Sequence, residues 1–202
     1  MNNSIKPMVF DLEELKKKAE NGNGLACYIL GRSFDSQENG AEQSFTKAME
    51  WYSKGLELGD PRCIYGVGAC YHFGDGVEQD MEKAKQLFIE AYNPLLELIE
   101  SEKDTPKKQV FSKFCLGAYY YFGFGTVEKD DKKAFELIYD CAMQGHIAAI
   151  YDLGANFYHN GVGTTKDLNL SKHYLEIAMK AGLPRAKTKY MEYKDEFEIE
   201  NR

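Results

Sequence analysis

The sequence predicts an all-α protein in which antiparallel helix pairs stack into an array, and three observations carry that reading. A Gly-x-Gly turn recurs between apolar segments, in "YHFGDGVEQDMEKAKQLF" at 71–88, "YYFGFGTVEKDDKKAFELI" at 120–138 and "YHNGVGTTKDLNLSKHYL" at 158–175. Upstream of each turn stands a small residue, then Leu or Val four positions on, then Gly: Cys63-Val67-Gly68, Ser112-Leu116-Gly117 and Ala149-Leu153-Gly154, with Ala26-Leu30-Gly31 as an earlier copy. The composition is globular, with 44% hydrophobic and 28% charged residues in a chain of 202, enough for one domain or one array of small repeats.

The elements follow in chain order. Residues 10–22, "FDLEELKKKAENG", read as the second helix of an N-terminal half-repeat. Repeat one covers 24–60, repeat two 61–110 with an insertion at 93–106, repeat three 111–146 and repeat four 147–182, followed by a polar closing helix at 183–202. Within a repeat, the first helix places small, Leu, Gly and aromatic residues at offsets 0, 4, 5 and 8, which share one face at 3.6 residues per turn. The second helix starts at Asp80, Asp130 or Asp167, N-caps whose carboxylates accept free first-turn amides. It ends before Gly59, Gly145 or Gly182 in the C′ position. A glycine inside a helix costs about 1 kcal/mol against alanine, so its recurrence in one slot implies close helix–helix approach.

The Gly-x-Gly turn resembles a phosphate or calcium loop, but the residue between its glycines is Asp75, Phe124 and Val162 in turn. Ligand chemistry is lost while the glycines stay, so the turn reads as a corner. Repeat one lacks it and has the looser "DSQENGAEQSFTK". Repeat four is read as carrying one extra residue in its loop. In the insertion, Asn93-Pro94 has the form of an N-cap and first position of a new helix. Leu95, Leu98 and Ile99 then form a short apolar stripe, buried in an elongated helix pair or offered as a docking ridge.

These residues resemble the Sel-1-like repeats, a branch of the tetratricopeptide-like α-solenoids. The resemblance rests on "CIYGVGACYHFGDGVEQDMEKAKQLF", "SKFCLGAYYYFGFGTVEKDDKKAFELIYDCAMQG" and "AIYDLGANFYHNGVGTTKDLNLSKHYLEIAMKAG", and on "ACYILGRSF" with "KAMEWYSKGLELG" in repeat one. It spans about residues 24–187, with Ser171 where the pattern has Ala. It implies a right-handed α-solenoid of about four repeats with capping helices, whose units touch only their neighbours, and hence an elongated particle. It also implies protein-binding adaptors rather than one shared chemistry. Some secreted members pair a cysteine from each helix of a unit. Here the partner positions of Cys27 and Cys141 are Gly55 and Lys113, which disfavours that subgroup.

Composition excludes other classes. The net charge of −7 argues against nucleic acid or an anionic membrane, both of which need clustered Lys and Arg. Nothing apolar is long enough to span a bilayer, and the N-terminus lacks the pattern of a signal peptide. Five cysteines without a CxxC pair fit reduced thiols, and the expected compartment is the cytoplasm. His72, His146, His159 and His173 show no zinc spacing, so no metal or cofactor is expected. "SFTK" at 44–47 matches the S-x-x-K of penicillin-recognising enzymes, some relatives having been described as penicillin-binding. It occupies the helix-capping slot, so Ser44 reads as an N-cap.

The first-helix face opposite the core positions carries the partner candidates. Offset 2 holds Tyr28, Tyr65, Phe114 and Tyr151. Offset 6 holds Arg32, Ala69, Ala118 and Ala155, and offset 9 holds Asp35, His72, Tyr121 and Tyr158. Solenoids of this kind line their concave surface with first helices, so Tyr28, Arg32, Tyr65, His72, Phe114, Tyr121, Tyr151 and Tyr158 are the candidate contacts for a protein or peptide partner. The offset-2 aromatics either wall a groove or pack on the next unit. The expected function is a monomeric, non-enzymatic protein-interaction module. A β-lactam hydrolase using Ser44 and Lys47, and a self-associating structural subunit, are the alternatives.

Overall fold

The computed structural model describes residues 5–199. The helices are α1 (Leu12–Glu20), α2 (Gly24–Ser36), α3 (Phe45–Glu57), α4 (Pro61–Phe73), α5 (Met81–Ser101), α6 (Pro106–Phe122), α7 (Asp131–Met143), α8 (Ile147–Asp152), α9 (Leu168–Lys180), α10 (Pro184–Glu192) and α11 (Lys194–Ile199). The helix begun by α8 runs on as a π-helical stretch, Leu153–Tyr158. The pairs α2/α3, α4/α5, α6/α7 and α8/α9 stack as a solenoid, and one hydrophobic core runs through all four.

Capping follows the sequence reading. Ser44, Asp80, Asp130 and Asp167 each accept a first-turn amide, from Lys47, Lys83, Lys133 and Leu170. The column glycines sit where each first helix crosses its second. A Cβ on Gly117 would lie 2.8 Å from Ile138 Cδ1, one on Gly68 3.0 Å from the Phe88 ring, and one on Gly31 would overlap the Tyr52 ring.

The corner has two jobs, one per glycine. Gly74 and Gly123 cap α4 and α6 in the left-handed conformation, which L side chains disfavour. The second glycine touches the preceding unit. A Cβ on Gly76 would lie 2.8 Å from the Phe45 carbonyl, one on Gly125 3.3 Å from Ile89 N, and one on Gly163 would overlap the Asp131 carbonyl. Turn and inter-unit contact are one feature.

Several expectations are corrected. The extra residue of repeat four lies in its first helix, not its loop. Asp80 N–H donates to Tyr71 O, Asp130 N–H to Tyr120 O and Asp167 N–H to Tyr158 O, so Tyr158 is the counterpart of Tyr71 and Tyr120. One inserted residue is absorbed as a π-turn, and His159 moves into the column of His72 and Tyr121. Ser171, fully buried, donates its hydroxyl to Gly154 O at 2.7 Å in this stretch.

Asn93-Pro94 starts no helix. α5 runs through it unbroken for 21 residues, because Ala91 and Leu95 are fully buried on one face and outweigh the ~3 kcal/mol a helical proline costs. The elongated pair buries the stripe's first residue, and Leu98 and Ile99 are half-buried. Its end pins repeat two: Arg62 pairs with Asp60 at 2.6 Å and Glu102 at 3.1 Å, and Ser112 donates to Glu102 at 3.0 Å, all buried or nearly so. The single closing helix is two short ones, α10 and α11, parted at Tyr193; residues 200–202 lie outside the described residues.

Units do not touch only their neighbours. The Cys115 thiol of repeat three donates to the Tyr28 hydroxyl of repeat one at 3.2 Å, and the Arg32 guanidinium lies 5.1 Å above the Phe114 ring. Arg185 of the cap reaches Ser36 at 3.5 Å, and Met8 N–H donates to Gly145 O at 2.8 Å. Small residues (Gly66, Ala69 and Ala118) line the inside of the curve, where the first helices converge.

Candidate functional site

The inner face of α2, α4, α6 and α8 encloses a cavity of about 250 Å³ lined by Arg32, Asp35, Tyr65, Ala69, Phe114, Ala118, Asp152 and Arg185, among others. A smaller apolar pocket of about 70 Å³ opens beside it, between Gly117, Tyr121, Phe122, Ile138 and Phe157. Phe114, Ala118, Phe122 and Asp152 line both, so the two form one groove.

The structure sorts the eight candidate residues. Tyr28 is fully buried, with burial raising its phenol well above the ordinary value. Tyr65 is buried beside Phe88, Tyr119 and Phe124, and Phe114 is buried and stacked on His146 at 4.3 Å. These three pack rather than wall an open groove, although Tyr65 and Phe114 form part of the cavity lining. Tyr158 is also buried, stacked on Tyr174 of α9 at 5.5 Å and 3°. The register shift of the π-turn aims it at its own second helix, so it leaves the inner face.

His159, which takes its column position, is covered by Tyr193 of the cap at 3.4 Å. Tyr151 is half-buried beneath the Arg185 guanidinium at 4.4 Å. Arg32 and Tyr121 remain at the groove, half-buried, whereas His72, also half-buried, packs against Phe73, Phe88 and Phe124 and does not line it. Arg32 pairs with Glu38 at 2.7 Å and more loosely with Asp35 at 3.6 Å.

Sequence reasoning missed the two most exposed aromatics. Phe73 and Phe122 are about half exposed, at 50% and 48%, and pack edge to face at 5.7 Å. They share offset 10, just before the corner glycine, and their repetition in adjacent units was the available signal. His72 and Tyr121 flank them at 4.6 Å and 4.8 Å.

The polar wall is largely acidic. Burial lifts Asp152 to about 6, against the lowering effects of Arg185 and Arg32, and Asn156 donates to it at 3.2 Å. Burial, then Asp35, raises Asp75. His146 is buried and held neutral: burial, then Arg32 and Arg185, lower it well below the ordinary value. Its Nδ1 accepts the Ala149 amide at 3.3 Å. Ser44 caps α3 through the Lys47 amide, and the Lys47 ammonium lies 5.3 Å from the Phe34 ring centroid.

A family model described as Sel1 repeat matches residues 24–60, 61–93, 114–146 and 147–183. Chitin synthase regulatory factor 1 of Schizosaccharomyces pombe is 28% identical over 174 residues, 85% of this chain and 34% of that protein. The ERAD-associated E3 ubiquitin-protein ligase component HRD3A of Arabidopsis thaliana is 32% identical over 66 residues, 33% of this chain and 10% of that protein. The chain thus spans about a third of the first relative's length and a tenth of the second's. The crystal structure of a Sel1 repeat protein from Oxalobacter formigenes aligns over 90% of this chain and 48% of that one, at 25% identity and a TM-score of 0.40.

Proposed function

The chain belongs to the Sel1 repeat family, whose model matches more than half of it, and from that premise we propose a non-enzymatic interaction module that binds a protein or peptide through its concave groove. The observation that carries the reading is the exposed Phe73–Phe122 pair at the mouth of the groove. Interfaces centre on aromatic anchors beside desolvated pockets, and this edge-to-face pair keeps about half its surface in water although Phe122 also stacks on the buried Phe124 ring at 4.9 Å. The relatives fit this reading, since one is named as a regulatory factor and the other as a ligase component. The five buried free thiols suit a reducing compartment, and the cytoplasm is the proposed location.

The test is photo-crosslinking from residue positions 73 and 122, with position 133 on the exposed face of α7 as control, followed by mass spectrometry of captured partners. Partners should cross-link at 73 and 122, and Phe122→Ala should weaken them about tenfold or more. Cross-links from position 133 alone would move the site to the convex face. Labelling of Ser44 by a fluorescent penicillin would favour the hydrolase, and a defined oligomer covering Phe73 would favour self-association.

A further inference from the structure

The groove has a chemistry that names its occupant more closely, given the concave reading above. Its wall carries Asp35, Asp75 and Asp152 against Arg32 and Arg185, and both arginines make contacts within the chain, although the Nε of each is buried without a hydrogen-bond partner. Arg32 is held by Glu38 at 2.7 Å. Arg185 lies over Tyr151 at 4.4 Å and reaches Ser36. Among the described residues no cation lies within ion-pair distance of Asp75, on the lip beside Phe73. With Glu38 counted, the wall is net negative, as is the chain at −7.

A metal ion does not fit, because no three metal-ligating side chains converge among the described residues. The adjoining pocket of about 70 Å³ is apolar. It is several times the space one water needs, so it suits a hydrocarbon side chain. An acidic lip and an apolar pocket under one aromatic rim call for a ligand that is cationic and apolar at neighbouring positions.

We propose that the groove binds an extended peptide segment that sets a lysine or arginine against Asp75 and Asp35 and a neighbouring apolar side chain in the pocket under Phe122. Charge complementarity of this kind gives partner choice and salt-sensitive association, while the aromatic rim anchors the complex. A cavity of about 250 Å³ has room for one or two side chains of a chain lying across repeats two and three.

The experiment is selection from a displayed library of random linear peptides against the full chain. The selected peptides are then titrated by fluorescence anisotropy. Selection should enrich Lys or Arg beside Phe, Leu, Tyr or Trp. The paired substitution Asp35→Asn with Asp75→Asn should weaken the best peptide about tenfold without lowering the unfolding midpoint. Asp75→Lys should turn the selection toward Asp and Glu. Enrichment of acidic peptides, enrichment of no motif, or indifference to both aspartate variants would overturn the proposal. Peptides that depend on Phe122 but not on the aspartates would end the charge assignment and leave the concave reading standing. Peptides insensitive to Phe122→Ala and to the aspartates would end both.

Discussion

Replacing Gly31, Gly68, Gly117 and Gly154 one at a time by alanine turns the four helix crossings into a graded experiment. In each case helix propensity favours alanine by about 1 kcal/mol, and overpacking opposes it by about 1–3 kcal/mol. What differs is the atom the new methyl meets. At Gly68 it would lie 3.0 Å from the Phe88 ring, a few tenths of an ångström too close, so the two effects nearly cancel. At Gly117 it would meet Ile138 Cδ1 at 2.8 Å, a terminal methyl that can turn aside, for a net loss of about 0–1 kcal/mol. At Gly154 it would meet backbone, Leu175 N and Ser171 O both at 2.9 Å, which only a shift of the whole helix relieves. At Gly31 it would overlap the Tyr52 ring. That ring has little room to move, because Gly66 closes on it too: a Cβ there would lie only 2.7 Å from Tyr52 Cδ1. The last two variants should lose about 1–2 kcal/mol each. Urea unfolding followed by circular dichroism, with constant slope, reads the series. A uniform gain of about 1 kcal/mol would show propensity acting alone and refute the crossing argument.

Three further outcomes are expected. All five cysteines are buried and free, and burial pushes the Cys70 and Cys115 thiols up to about 12. Native protein should react slowly with a thiol reagent and denatured protein should count five; a count of one or three would reveal disulfides. Because burial raises Asp152 to about 6, its favourable neutral form is fully available below its unfolded value of about 4 and is lost as pH rises through 6. Asp152→Asn should therefore be more stable than the natural chain at pH 8, by about 1–2 kcal/mol, and the gap should close toward pH 4; a gap constant with pH would refute the buried charge. Solution scattering should return a radius of gyration near the 16–17 Å expected of a compact chain of this length, since repeat one meets repeat three and the cap. A value above about 20 Å would mean those contacts do not persist in solution.

Helix pairs, caps and corners were legible because they are local. Asp80, Asp130 and Asp167 announce second helices, and the first glycine of each corner has a backbone reason that no neighbour alters. Pro94 misled because the local rule for a helix start lost to the burial of Ala91 and Leu95. Tyr158 misled because offset counting assumes 3.6 residues per turn throughout, and one π-turn shifts every later side chain by about 100°. The spacing from column glycine to corner glycine held the clue. It is six residues in repeats two and three and seven in repeat four. The groove itself was half legible. Its floor of alanines at offset 6 is local, whereas its polar wall joins Asp35, Asp75 and Asp152 with Arg185 from four segments that only the superhelix brings together.

That closure also decides which part of the inner face can serve a partner. At the C-terminal end, the π-turn sends Tyr158 to α9, and the cap stacks Tyr193 on His159 and Arg185 on Tyr151. At the N-terminal end, residues 5–10 cross the curve. Met8 N–H donates to Gly145 O, Phe10 N–H donates to Asn39 at 2.9 Å, and the Phe10 ring meets Phe111 at 5.9 Å. Tyr28 is sealed between these elements by Cys115 and Phe111. Among the described residues, the last turns of α4 and α6 stay open beside Arg32 and Asp35 of α2, and Phe73 and Phe122 stand half in water there. A solenoid that binds through its whole concave surface needs all its units open. Here the two ends fold over that surface, so the proposed recognition would be concentrated at the junction of repeats two and three, with affinity resting on a few side chains rather than on length.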